Sequence, residues 1–301
     1  MMTTPRRLIS AGADGFIVVV VLWLLGALST LASIYSVYVV NTAAGFAGYD
    51  DQLRAEALVS AALELTAYQQ LTQQPRPTSG QFSFHLGQAE IAVTFRSEAA
   101  RIDLNAAPKQ LLVGLFRALG AQPDEAEIYA DRVIAWRSAQ PSDQDSEAAA
   151  YRMARLGYQP RGTKFPHSHE LALVRDLPMS VAERALPFVT VYSGRPQINI
   201  LDATPEVIAA LPGITRGDLN TFLAQRNLSP ENAKTLLPKE AQQYATLDGS
   251  KAVRVKVRVV FANGHRTGAE VVILLIENGE APFAVLSRHD DLNGLIADNR
   301  P

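Results

Sequence analysis

The sequence contains no cysteine among its 301 residues. This absence excludes disulfides, zinc–thiolate centres, iron–sulfur clusters and a cysteine nucleophile. Charge is also scarce: Asp, Glu, Lys and Arg make up 19% of the chain, against about 25% in typical soluble proteins. The net charge is only −2, so there is no overall basic bias that would favour a nucleic-acid partner.

Common catalytic signatures are missing as well. The sequence has no G-x-S-x-G nucleophile elbow, no phosphate-binding P-loop and no Rossmann glycine fingerprint. Hydrophobic residues, in contrast, make up 48% of the chain. That content predicts a folded protein rather than a disordered or collagen-like one.

The shortage of charge is concentrated near the N-terminus. No Asp, Glu, Lys, Arg or His occurs between Gly15 and Tyr49, and residues 16–40 form a continuous apolar run. A helix crosses a bilayer with about 20 apolar residues. Because Arg6 and Arg7 precede the run, the leader is expected in the cytoplasm and the rest of the chain outside it.

A cleaved secretory signal is the alternative interpretation of this run. Small residues within it could imitate a signal-peptidase site; they are Ala27, Ser29, Ala32 and Ser33. However, the apolar core of a secretory signal usually has only about 7–15 residues. The length of the run therefore favours a transmembrane helix over residues 16–40.

The helix is expected to continue beyond the membrane. Apolar residues recur at helical spacing in residues 41–74, namely Leu53, Ala57, Leu58, Ala61, Leu65 and Tyr68. Gln73, Gln74 and Pro75 then end the pattern. This second half of the helix is predicted to lie against a globular domain.

Alternating apolar residues predict about five antiparallel strands at the two ends of the globular part. The first two occupy residues 81–95, with a turn at residues 87–90. The others occupy residues 251–261, 269–276 and 283–287, and Asn263-Gly264 is a strong hairpin signal. The strands need a cover for their apolar face, and the amphipathic helix can provide it.

Helical patterning dominates the segment between these strands, about residues 106–245. It also contains a weak internal repeat, RIDLNAAPKQLL at residues 101–112 and QINILDATPEVI at residues 197–208. In each copy polar residues precede a helix, so Asp103, Asn105, Asp202 or Thr204 is expected to cap it. The sequence thus predicts a helical domain inserted into a small sheet domain.

The leader resembles that of a type IV prepilin, because a short basic segment ends in Gly15 and Phe16 begins a hydrophobic helix. The resemblance implies that prepilin peptidase cuts between Gly15 and Phe16 and methylates the new amino group. Most pilins have Glu as the fifth mature residue, but Val20 stands here. This departure narrows the resemblance to the minor pseudopilin K family of type II secretion systems. An ordinary signal anchor with Gly before Phe is the alternative.

The rest of the chain is similar to the same family through the repeated phrase and the segments WRS, FPHSHEL and ALPGI. The resemblance implies an α+β, pilin-like fold, with a long N-terminal helix on a small antiparallel sheet and a large helical domain inserted in the sheet. The expected organisation is a leader (1–15), a transmembrane helix (16–40), its amphipathic continuation (41–74), a first sheet part (75–105), the inserted domain (106–245) and a second sheet part (246–301).

The resemblance also implies a function in assembly rather than catalysis. In this family the subunit lies at the tip of the periplasmic pseudopilus with minor pseudopilins I and J, and it supports protein export. The major pseudopilin, the inner-membrane assembly platform and prepilin peptidase are further expected partners, and nucleic acid is not. Val20 fits the tip, since a top subunit has no neighbour above it whose amine needs a carboxylate. The expected location is the inner membrane of a Gram-negative bacterium, with the globular part in the periplasm.

An acidic loop is the candidate metal site. Asp143, Asp145 and Glu147 occupy alternate positions in it, and calcium binds carboxylate oxygens in such flexible loops. The loop does not match an EF-hand, but members of the resembled family can bind calcium. Where those members have further Asp residues, this chain has Ser138 and Gln140. A structural calcium ion is thus one hypothesis, and a solvated acidic loop is the other.

The sequence is also compatible with two other functions. Residues 210–214 (ALPGI) look like half of a helix-hairpin-helix, so a signal-anchored periplasmic binding module could grip a phosphate there; a tight turn between packed helices is the structural interpretation. His167, His169 and Glu170 would be the candidates for a periplasmic hydrolase or metalloenzyme. The pattern around the histidines also suits a helix start.

Overall fold

A computed structural model describes residues 14–139 and 147–291 of the chain. The chain divides into two compact units, one ending at Ala57 and the other beginning at Leu58. The eight helices of the described part are α1 Asp14–Thr72, α2 Lys109–Ala118, α3 Pro123–Arg137, α4 Glu147–Met153, α5 Met179–Ala185, α6 Pro205–Ala209, α7 Arg216–Gln225 and α8 Lys239–Gln242. Its strands are β1 Ser79–Leu86, β2 Ala89–Ser97, β3 Ile102–Asp103, β4 Val189–Thr190, β5 Ile198–Asn199, β6 Ala245–Thr246, β7 Ala252–Val260, β8 Arg266–Leu275 and β9 Phe283–Asp291.

The first unit contains the apolar part of α1. Its Phe16–Val39 segment has a mean hydropathy of 2.5, and none of it is buried within the protein. By length and composition this segment could cross a membrane. The helix extends to Thr72, one residue short of the end that the glutamines and Pro75 predicted.

The second unit contains a five-stranded antiparallel sheet in the order β1-β2-β7-β8-β9. The alternating patterns thus predicted its strands correctly. Both tight turns depend on a glycine in the left-handed region, with φ +62° at Gly87 and +82° at Gly264. The last strand continues past Ser287 to Asp291, where its residues are polar and the sequence pattern gave no signal.

One face of this sheet packs on the part of α1 that belongs to the second unit. The strands contribute alternate side chains such as Ile91, Val255 and Val271, all fully buried. The helix contributes a stripe made of Leu58, Val59, Ala62, Leu63, Thr66, Ala67 and Gln70. The expected stripe was partly wrong: Tyr68 is 65% exposed, because the small side chains of Ala62 and Ala67 form the contacting face instead.

The inserted domain has a separate hydrophobic core. The insertion begins after Ser97 and ends before Ala252. These bounds are slightly wider than residues 106–245, because Ile102, Leu104 and Ala245 are buried in the core of the insertion. Its fold class agrees with the sequence analysis, an α+β protein with a helical domain inserted in the sheet.

The internal repeat is visible in the structure. In the first copy β3 precedes α2 and α3, and β3 pairs in parallel with β4. In the second copy β5 precedes α6 and α7, and β5 pairs in parallel with β6. Glycines with positive φ, Gly120 (+92°) and Gly213 (+75°), precede the second helix of each copy. Both α3 and α7 then begin with a capping box.

The two copies also share an arginine at or just after the end of their second helix. Arg137 donates to the carbonyl oxygens of Leu104 and Ala107. Arg226 donates to those of Ile200 and Ala203 in the same way. These bonds, and not side-chain caps, connect the segment before the first helix to the second helix. The cap prediction was wrong, since neither α2 nor α6 has a side-chain cap hydrogen bond.

Replacing Arg137 by Ala is expected to lower the free energy of unfolding by about 2 kcal/mol, because the carbonyl groups of two buried residues, Leu104 and Ala107, lose a charged donor. Chemical denaturation of the full chain measures the change. Arg117→Ala is the matched control, since Arg117 is exposed in the last turn of α2. Equal stability of the two variants would contradict the proposed role of the Arg137 hydrogen bonds.

Candidate functional site

The predicted processing site lies at the start of α1. The helix begins at Asp14, so Gly15 and Phe16 belong to its first turn. Phe16 is 71% exposed and Val20 is 39% exposed. Residues 1–13 of the leader lie outside the described residues. Cleavage between Gly15 and Phe16, methylation of Phe16 and the role of Val20 stay predictions.

The acidic loop is described only at its C-terminal end. Residues 140–146, which include Asp143 and Asp145, lie outside the described residues. Glu147 is the first residue of α4, and its side chain is 9% exposed. Its Oε2 lies 2.7 Å from Arg132 Nη1, and its Oε1 lies 3.3 Å from Arg175 Nη2. Both carboxylate oxygens therefore have cationic partners.

Asp176 completes a ring of four charges at the first residue of α4. Its Oδ2 lies 3.0 Å from Arg132 Nε and 2.7 Å from Arg175 Nη1. Acids and arginines thus alternate, which satisfies Glu147 without a metal ion. The structure describes no group of three or more His, Asp or Glu residues that could hold a metal outside residues 140–146 and the termini. A calcium ion would need Asp143 and Asp145 as its main ligands.

This arrangement predicts different behaviour for the three acidic residues. Glu147→Gln is expected to cost about 2 kcal/mol of stability in both calcium and chelator, because it breaks an ion-pair ring. Asp143→Asn combined with Asp145→Asn should leave stability in chelator unchanged and, under the calcium hypothesis, remove stabilisation by calcium. Thermal unfolding with calcium or EDTA distinguishes the two classes. A calcium-dependent effect of Glu147→Gln would make Glu147 a ligand.

The two histidines of the alternative metal site lie side by side. Their ring centroids are 4.7 Å apart, and the two Nδ1 atoms are separated by 2.9 Å. Burial first, and then the charges of His169 and Arg254, lower the pKa of His167 and so favour its neutral ring. Glu170 pairs with Arg161 instead of joining them. The residues are part of a 3-10 helix, Ser168–Leu173.

The hairpin turn between α6 and α7 is a packing feature in this structure. A Cβ atom at Gly213 would lie 2.9 Å from Glu240 Oε2, so a carboxylate occupies the space beside the turn. A phosphate would be repelled there. Thr215 and Asp218 use their side chains to cap α7. These contacts favour the interpretation as a turn between packed helices.

The junction of the sheet with the inserted domain contains a buried carboxylate that sequence analysis missed. The Glu98 side chain is 1% exposed. Its Oε1 lies 2.7 Å from Arg254 Nε, and its Oε2 lies 3.1 Å from Arg254 Nη2. Thr190 also donates its hydroxyl to Glu98. Because Arg254 is in β7 and Thr190 is in β4, Glu98 connects the sheet to the insertion.

Glu270 extends this network across the outer face of the sheet, the face opposite α1. Arg254 also bonds to Glu270 Oε1, and Lys256 Nζ lies 3.5 Å from Glu270 Oε2. Burial alone would raise the pKa of Glu270, but the charges of Arg254 and Lys256 outweigh it and hold the pKa below its usual range. The alternating charged residues of β7 in the sequence could have predicted this charged face. No pattern in the sequence around Glu98 predicts that its side chain is buried.

The fold defines the class of this protein: a pilin-like α+β protein in which a helical domain interrupts the sheet. Residues 93–194 match the family described as "Type II secretion system (T2SS), protein K". The resemblance to minor pseudopilin K of type II secretion systems is thereby confirmed, and this matched region contains β3, β4 and the first repeat copy.

A solved structure shows the same fold. It is a chain of the crystal structure of the GspK-GspI-GspJ complex from the enterotoxigenic Escherichia coli Type 2 Secretion System. The two chains are 22% identical, with a TM-score of 0.52, and the match covers 79% of this chain and 94% of that chain. Comparison with curated proteins gives no match.

Proposed function

We propose that this protein acts as a minor pseudopilin at the tip of a periplasmic pseudopilus and supports protein export through type II secretion. The observation that carries the proposal is the large helical domain inserted between β2 and β7 of a pilin-like sheet. A domain of that size fits the end of a helical filament more easily than a repeating position within it. The matched protein K family supports the same role.

The apolar segment Phe16–Val39 supplies the membrane anchor in this proposal. It holds the precursor in the inner membrane with the globular part in the periplasm. Prepilin peptidase then cuts after Gly15, and the free helix joins the stems of other pseudopilins. Val20 leaves the fifth mature position without a carboxylate, as suits a subunit with none above it.

The proposed partners are minor pseudopilins I and J, because the similar chain was crystallised in a complex with GspI and GspJ. The major pseudopilin and the inner-membrane assembly platform are further proposed partners. The protein acts by assembly and not by catalysis. The calcium ion, if bound by Asp143 and Asp145, would stabilise the insertion.

Intact mass spectrometry tests the class of protein directly. The full chain is expressed with and without prepilin peptidase and purified from membranes. With the peptidase we expect a chain that begins at Phe16 and is heavier by one methyl group. Gly15→Val should block cleavage, whereas Gly12→Ala in the same leader should not. A chain that keeps Met1 in every case, or begins beyond about Ala32 as for a secretory signal, would contradict the proposal.

A further inference from the structure

Arg101 is an unpaired cation in the described part of the chain. It follows the short 3-10 helix Glu98–Ala100, and its backbone amide donates to the Glu98 carbonyl at 3.1 Å. The residue is half-buried. Within residues 14–139 and 147–291 its guanidinium has neither a hydrogen bond nor an ion pair, and no hydrogen bond contributes to its pKa. A guanidinium has five N–H donors, so this group has unused binding capacity.

The surroundings of Arg101 contain an excess of positive charge. Arg96 in β2 lies directly opposite Arg254 in β7, and Lys256 is on the same outer face of the sheet. Glu98 and Glu270 are the acids that act on Arg101, but Arg254 and Lys256 already bind their oxygens. Burial first, and the charge of Arg254 second, lower the pKa of Arg101. Only two carboxylates, those of Glu98 and Glu270, thus balance four cations, which are Arg96, Arg101, Arg254 and Lys256.

The internal repeat shows that the fold does not need this charge. Residues 101–112 correspond to residues 197–208, so Gln197 occupies the position of Arg101 in the second copy. Gln197 is half-buried as well. A neutral side chain therefore serves the local structure equally well. An unpaired guanidinium at this place costs stability unless a further group neutralises it.

We propose that Arg101, with Arg96 beside it, binds an oxyanion at the junction between the outer face of the sheet and the inserted domain. The planar guanidinium matches the two oxygens of a carboxylate or a phosphate. The oxyanion can come from an acidic side chain of a docked protein or from free inorganic phosphate, which share this chemistry. Oxyanion binding at this junction does not depend on the pseudopilus role of the protein.

The test is thermal unfolding of the full chain in non-ionic detergent, with sodium phosphate, sodium acetate or sodium chloride at equal ionic strength. Relative to chloride, a binding oxyanion at ten times its Kd should raise the midpoint by about 3 °C. The wild type should show this rise in a saturable manner. A rise in acetate equal to that in phosphate assigns the site to carboxylates, and a rise in phosphate alone assigns it to phosphate.

Arg101→Gln is expected to raise the unfolding midpoint in chloride and to abolish the further rise caused by phosphate or acetate. In chloride the variant should unfold at a higher temperature than the wild type, because an unpaired charge is removed. In phosphate or acetate it should show no further rise. Arg258→Gln is the matched control, since Arg258 is an exposed cation on the same face, and it should keep the full response. Arg101→Lys should keep a weaker response.

Three results would overturn the proposal. The first is a wild-type midpoint that is the same in all three salts. The second is an anion response that Arg101→Gln retains. The third is a loss of stability in Arg101→Gln in chloride, which would show that Arg101 is already neutralised within the protein.

Discussion

Replacing Glu98 by Gln is expected to lower the free energy of unfolding by about 3–5 kcal/mol. The Glu98 side chain is 1% exposed and holds both Arg254 and the Thr190 hydroxyl. With Gln at this position the guanidinium of Arg254 keeps Glu270 but loses its most buried partner. Taking a charge out of water is tolerable only when it is paired, so the loss of one partner leaves most of the desolvation cost uncompensated.

Chemical denaturation of the full chain in detergent measures this effect. Glu90→Gln is the matched control, because Glu90 is exposed in the same strand β2, and it should change stability by less than about 0.5 kcal/mol. The double replacement Glu98→Met with Arg254→Met should recover much of the loss, since no charge is left unpaired. A cost of Glu98→Gln below about 1 kcal/mol would show that the network contributes little.

The same network gives the stability a dependence on pH. The folded-state pKa of Glu270 lies below its ordinary value. The stabilisation from Glu270 is therefore fully present above its unfolded pKa of about 4.3 and is lost as the pH falls through the lower folded pKa. In Glu270→Gln this acid-dependent loss should shrink.

The second large effect is expected from Gly114→Ala in α2. A Cβ atom at Gly114 would lie 1.8 Å from the carbonyl oxygen of Ala210 and 2.7 Å from its carbonyl carbon. These are backbone atoms at the end of α6, so no side chain can rotate out of the way. The two helices must separate, and we expect a loss of about 3 kcal/mol. Helix propensity acts in the opposite direction, with a gain of about 1 kcal/mol for Ala over Gly.

The sign of the change in the free energy of unfolding shows whether the steric overlap with Ala210 or the helix propensity of Ala dominates. Gly217→Ala in α7 is the matched control, since its Cβ would meet only Thr215 Oγ1 at 3.7 Å. We expect Gly217→Ala to be neutral or to stabilise the protein by up to about 1 kcal/mol. The free energies of unfolding of both variants check the prediction. If Gly114→Ala were as stable as the wild type, the close contact between α2 and α6 would have no energetic importance.

The sheet could be predicted from the sequence because its signals are local. Consecutive residues contain both signals, the alternation from Ala252 to Val260 and the Asn263-Gly264 pair. These signals correctly predicted β7, β8 and the turn between them. The helices α2, α3, α6 and α7 were also predicted, since glycine or proline marks their ends. The resemblance of the leader and the insert to minor pseudopilin K supplied the architecture that connects these elements.

The rest depends on contacts that are distant in the sequence. The parallel pairs β3–β4 and β5–β6 have two residues per strand, which is too short for a period-2 pattern. Glu98 follows a strand like any surface acid, and only Arg254 and Thr190 make its burial possible. The buried stripe of α1 was misplaced because Ala62 and Ala67 face the sheet, and the sequence does not distinguish a small residue in a close contact from an exposed one.

The hydroxyl of Ser97 accepts a hydrogen bond from the amide of Ser250 at 2.8 Å, across 153 positions of the chain. Closing a flexible loop of that length costs about 4–5 kcal/mol of chain entropy. If the insertion folds first, its ends are already adjacent, and pairing β2 with β7 closes only a few free residues. We therefore expect the insertion to fold before the sheet. The hairpin β1–β2 leaves the ribosome earlier. Its strand β2 nevertheless has no β7 partner until the insertion has folded.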